Sequence, residues 1–91
     1  MSHDQAFNQG SAVSVSGTAG NAVSANSGRT KLILQNDHAT QVIYCSLGGT
    51  AALNTGLRIN AAGGTVTLDD YRGAVSAIAT GASTPLLVTE I

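Results

Sequence analysis

Asp69 and Asp70 form the only acidic pair in the chain. A general acid and a general base working together need two carboxyls that converge on one reacting group. Neighbouring residues of an extended strand point to opposite faces, so this pair reads as a strand end and its turn. Calcium would require more oxygen ligands than the surrounding sequence offers. The two histidines stand apart, His3 in a polar N-terminus and His38 in the turn-like "NDHAT" at 36–40. Neither has a second His or Cys nearby, so no metal site is expected within one chain. A threefold axis gathering three copies of one histidine is the geometry that would change this. Cys45 alternates with Ile43 and Leu47 and reads as a small buried hydrophobe. As a nucleophile it would need a positioned histidine base, and none is placed. "GTAGNAVSANSG" (17–28) has G-x-x-G spacing but lacks the Gly-Lys-Ser/Thr ending and the strand–loop–helix setting of a phosphate loop. Tyr44 shares a strand face with Val42 and Ser46 and reads as a cap on the core with its hydroxyl outward. An exposed Tyr44 or Tyr71 would be able to anchor an interface or stack on a sugar, although no Asp/Asn cluster accompanies either. The residues thus point to no catalytic group, no cofactor and no metal, and a non-enzyme is expected.

The totals agree. The chain has 91 residues, with 4 Lys and Arg against 5 Asp and Glu and a net charge of −1. That length makes one small domain that buries a modest share of its surface. Such domains commonly lean on disulfides, a metal or oligomerisation. One cysteine excludes an intrachain disulfide, which leaves oligomerisation. Charged residues make up 10% of the chain, against roughly a quarter in ordinary globular proteins, so little repulsion keeps copies apart. Arg29, Lys31, Arg58 and Arg72 are scattered and make no basic patch for nucleic acid. No apolar run approaches the roughly 18 residues of a membrane span. "MSHDQAFNQG" lacks the basic and apolar regions of a signal peptide. Synthesis in a cytoplasm is the expectation, with Cys45 reduced there.

The elements that position these residues are short strands. In "TKLILQN", Leu32 and Leu34 share one face, followed by the "NDHAT" turn and a second run, "QVIYCSL", ending at Gly48-Gly49. About five residues separate the two runs, a plausible hairpin loop, so this stretch is expected to be the central hairpin of a sheet. "LRINAAGGTVTLDD" contains two strands broken at Gly63-Gly64, and "AVSAIATG" and "PLLVTEI" supply two more. No segment keeps a helical period. Short strands at such spacing predict an all-β fold, a small sandwich or jelly-roll-like barrel of about 7–8 strands.

Residues 1–28 differ. They carry no charge from Gly10 through Gly28 and are mostly Gly, Ala, Ser, Asn and Val. The expected organisation is an N-terminal arm over 1–28, flexible or ordered by a partner, ahead of a β-sandwich over 29–91. The arm would contact its partner through Ala12, Val13, Val15 and Val23, by strand addition to an exposed sheet edge.

The order of these features resembles that of small tailed-bacteriophage virion proteins of the capsid decoration, or cement, type. The carrying motifs are "R-x-x-L-x-L-x-N" (Arg29 to Asn36), "Q-V-I-Y-x-S-L-G-G-x-A-A" (Gln41 to Ala52) and a Gly-Gly before an alternating strand (Gly63 to Leu68). "G-A-V-S-A-I-A" (Gly73 to Ala79) and "L-L-V-T-E" (Leu86 to Glu90) complete the order, which spans about two thirds of the chain. The resemblance implies a β-sandwich carried in many copies on the capsid surface, often as a homotrimer, with the major capsid protein as partner. It implies no catalytic residue. The expected function is therefore shell stabilisation at capsomer junctions. The alternative is a head-fibre, spike or tail-associated domain contacting another virion protein or a host glycan.

Overall fold

A computed structural model describes residues 8–91, with side chains from residue 10 onward. Among the described residues eight strands follow one another without a helix: β1 (Asn8–Val15), β2 (Gly20–Val23), β3 (Lys31–Asn36), β4 (Ile43–Leu47), β5 (Leu57–Ile59), β6 (Thr65–Asp69), β7 (Val75–Ala79) and β8 (Thr84–Glu90). They form two four-stranded antiparallel sheets, ordered β1-β8-β3-β6 and β2-β7-β4-β5. The pairs β1·β8, β2·β7, β3·β6 and β4·β5 describe one long hairpin folded at the β4–β5 turn. Rolling that hairpin closes β3 on β8 and β4 on β7. This strand order is that of a jelly roll.

Inward residues follow strand alternation. In β8, Thr84, Leu86, Val88 and Glu90 are buried, and in β7 so are Val75, Ala77 and Ala79. Leu32 and Leu34 meet Ile43, Cys45 and Ile59 across the gap, in one aliphatic cluster that also takes Val15 and Val23. Burial of each aliphatic side chain contributes about 1.5–3 kcal/mol.

Two expectations change. The first concerns the stretch read as a hairpin: β3 and β4 lie in different sheets. Leu32 and Leu34 need a core on one side, as do Ile43 and Cys45. Residues 37–42 carry the chain across, so both faces look onto the same interior. The second concerns the N-terminal arm. Asn8–Val15 pairs with β8 and Gly20–Val23 with β7, both within the chain. The inward alternation of Val13 and Val15, with Val23 after the turn, is enough to seat these strands. Of the expected arm, residues 1–7 lie outside the described residues, and His3 with them.

Candidate functional site

The groups first considered for chemistry take structural positions. Asp69 and Asp70 diverge as expected: Asp69 lies 3.9 Å from Lys31, while Asp70, at φ +60°, reaches toward Arg72 at 4.0 Å. Both carboxylates are largely exposed, so these pairs add little to stability. His38 Nδ1 accepts the backbone N–H groups of Thr40 and Gln41 and so shapes its own turn. Among the described residues, no group of three or more His, Cys, Asp or Glu could hold a metal ion.

Cys45 is 1% exposed inside the core. Burial pushes its thiol up from 9.0 to about 11, because the thiolate is desolvated there. The unfolded chain releases this proton near pH 9.0 while the folded chain holds it to about 11. The folded state then binds the extra proton, so stability falls as pH rises through that window. Urea midpoints should decline between those two pH values, and in Cys45→Ala this component of the decline should be missing. An identical pH slope in the two proteins would contradict this.

Tyr44 differs from expectation in one respect. It lies on the outer face of its sheet but is only 6% exposed. Its hydroxyl donates to Asn54 Oδ1 at 3.1 Å, and the Arg58 guanidinium lies 5.9 Å from the ring centroid. The 48–56 loop folds over this face, held by the Ala51 N–H donating to Ser76 Oγ. Gly56 lets it close: its φ is +78°, and a Cβ there would collide with the Cys45 carbonyl oxygen. Tyr44 therefore presents no open ring face for a sugar. Tyr71 is half-buried against the core, with its hydroxyl donating to the Ala74 carbonyl.

Two buried polar side chains, one just before β3 and one at its C-terminal end, are the ends of the R-x-x-L-x-L-x-N motif, and their structural role was not expected from the sequence. Arg29 is 0% exposed. Its guanidinium donates to Glu90 Oε1 at 2.6 Å, to the Tyr71 carbonyl at 3.0 Å and to the Gly73 carbonyl at 2.7 Å. It thus ties the entry to β3, the β6–β7 connection and the end of β8 together. Asn36 is equally buried. Its Nδ2 donates to the carbonyls of Gln41 and Ile59, and its Oδ1 accepts the His38 N–H. It pins the crossing from β3 to β4. Beyond that motif, the sequence marks Arg29 as an arginine ending a charge-free stretch and Asn36 as an Asn opening a turn.

The remaining candidate is an edge. β1 and β2 are edge strands of the two sheets, and both lie on the same side of the sandwich. The opposite edges, β6 and β5, carry Asp69 and Arg58. Charges on an edge strand discourage pairing with foreign strands, and the β1–β2 side has none from Gly10 through Gly28. Two openings sit along this side: one of about 60 Å³ bordered by Val13, Val15 and Ala22 together with Ser14 and Asn21, and one of about 350 Å³ bordered by Val13, Val23 and Val88 together with Ser11, Asn26 and Glu90. Of the four residues expected at an interface, Ala12 is exposed on β1 and Val13 is half-buried at the mouth. Val15 and Val23 are each 4% exposed and belong to the chain's own core, so they are not available to a partner.

No family model matches the chain, and neither a curated protein nor a solved structure matches it. The likeness to phage virion proteins rests on the order of the sequence motifs.

Proposed function

We propose that the chain is a non-enzymatic virion structural protein, a capsid decoration protein that binds the major capsid protein at capsomer junctions and stabilises the head. It would act on the capsid surface, self-associated as the homotrimer its resemblance implies or as another small closed oligomer. One observation carries the reading: a side of the sandwich made of two edge strands that themselves carry no charged residue. Jelly rolls build viral shells and lectins alike, so the fold does not choose between them. The buried ring of Tyr44 weighs against the glycan alternative. The mechanism is area. At roughly 25 cal/mol per Å² of apolar surface, several hundred square ångströms per copy contributes several kcal/mol, reduced by the ordering costs of association. Repeated over many junctions, this resists outward pressure on a shell.

The test is binding of the purified protein to expanded capsids and, separately, to tails of a phage encoding it. Saturable capsid binding at a fixed ratio per coat subunit is expected. Binding to tails alone would move the assignment to the fibre or tail alternative.

A further inference from the structure

We infer that β1 is a self-pairing edge, through which two copies join antiparallel about a twofold axis at Val13. The argument begins with which backbone groups face outward. The Pro85 carbonyl accepts the Asp37 N–H, so Pro85 turns its backbone toward β3. In an antiparallel strand successive residues face alternate neighbours. Thr84, Leu86 and Val88 therefore face β1, where their partners are Val15, Val13 and Ser11. The intervening β1 residues, Ala12 and Ser14, direct their N–H and C=O groups to the edge, where no described strand pairs with them. The edge ends on both sides. Gly10 donates its N–H to Thr89 Oγ1 at a bulge, and the Ser16 carbonyl accepts the Ala79 N–H from the other sheet.

A second copy answers this pattern residue by residue. With the twofold axis at Val13, Ala12 faces Ser14 of the second copy and Ser14 faces its Ala12. Each pair exchanges two hydrogen bonds, and every edge-facing group of both strands is used. Val13 meets its own counterpart on the core side, at the distance where cross-strand side chains touch. Val13 is half-buried and borders both openings, so the paired valines sit beside the openings of both copies. On the outer face Ala12 meets Ser14, small and uncharged, with no like charges opposed. The contact is isologous and closes at two chains, and it joins two four-stranded sheets into one of eight strands. The other edges fit less well: β5 has three residues and carries Arg58, β6 carries Asp69, and β2 has four residues with a register shift. This pairing sets the basic unit at two chains where the resemblance implies three. It occupies the β1 part of the side that carries the proposed capsid contact, so the chain's mass tests the pairing alone and capsid binding tests the virion role.

The test is the mass of the full chain by sedimentation equilibrium across the micromolar range, beside Ser14→Pro. Proline is tolerated on an edge strand whose N–H faces solvent, so this change leaves the β1·β8 bonds intact. It removes two of the intermolecular hydrogen bonds and is expected to weaken pairing at least about tenfold. The wild-type chain should weigh two copies, with the Ala12 and Ser14 amides protected from hydrogen exchange. These amides also decide the question if Ser14→Pro fails to fold. A monomeric or trimeric wild-type mass, or a two-chain mass with rapidly exchanging Ala12 and Ser14 amides, would overturn the inference.

Discussion

Arg29→Met should destabilise the fold more than any other single substitution outside the hydrophobic cluster. The change leaves the Glu90 carboxylate buried without its guanidinium, and it strips the Tyr71 and Gly73 carbonyls of their donors. Breaking a buried ion pair by removing one partner costs about 3–5 kcal/mol. A domain of this length holds on the order of 5–14 kcal/mol in total, so the loss takes from roughly a fifth to all of it. The measurement is a urea titration followed by circular dichroism. Arg29→Met with Glu90→Leu removes that buried carboxylate as well and should recover part of the loss. Recovery should be incomplete, because the two carbonyls still lack the arginine. A loss under about 1 kcal/mol in the single variant would place the pair in the class of exposed bridges and contradict its role.

The second large effect is expected at Asn36. Asn36→Ala removes three hydrogen bonds that hold residues 37–42 and the end of β5 against β3. Each contributes about 1 kcal/mol net, and the Ile59 carbonyl, whose bond to Asn36 is buried, adds a desolvation penalty of about 1–3 kcal/mol. A loss of about 3 kcal/mol or more follows, with local hydrogen exchange accelerated first at His38 and Gly63. The Gly63 amide donates to the Asn36 carbonyl, so it reports directly on this corner. A variant with wild-type stability and unchanged exchange at both amides would show that the crossing holds without its clasp.

Asn36 and Arg29 also show where the sequence stops being legible. The alternation of Leu32 with Leu34, of Val75 with Ala77 and Ala79, and of Leu86 with Val88 is local, so strands and inward faces can be read from it. Which strands pair is not local. A six-residue connection after Asn36 suits a hairpin and a crossing between sheets equally well. Only the need of two apolar faces for one core decides between them. Residues 10–28 illustrate the same point from the other side. Small, uncharged residues have weak strand preferences of their own, and β1 and β2 form because β8 and β7 offer them edges. A buried arginine is harder still. Its partners come from residues 71, 73 and 90, and nothing near Arg29 announces them.

The candidate surface was half visible. Its lack of charge is a fact of composition, and Ala12 was named from it. The same reasoning named Val15 and Val23, because a segment read as an arm has no interior of its own. Once it is seen as two strands of the jelly roll, those valines belong to the core. What remains outward on β1 is the backbone of Ala12 and Ser14.

The most direct test of the proposed role is a count of this chain in purified particles of a phage that encodes it, by quantitative mass spectrometry against the major capsid protein. A decoration protein that works by covering junctions across the whole shell should be present in many copies, at a fixed simple ratio to coat subunits. Absence from the particle, or only a few copies per particle, would contradict the account.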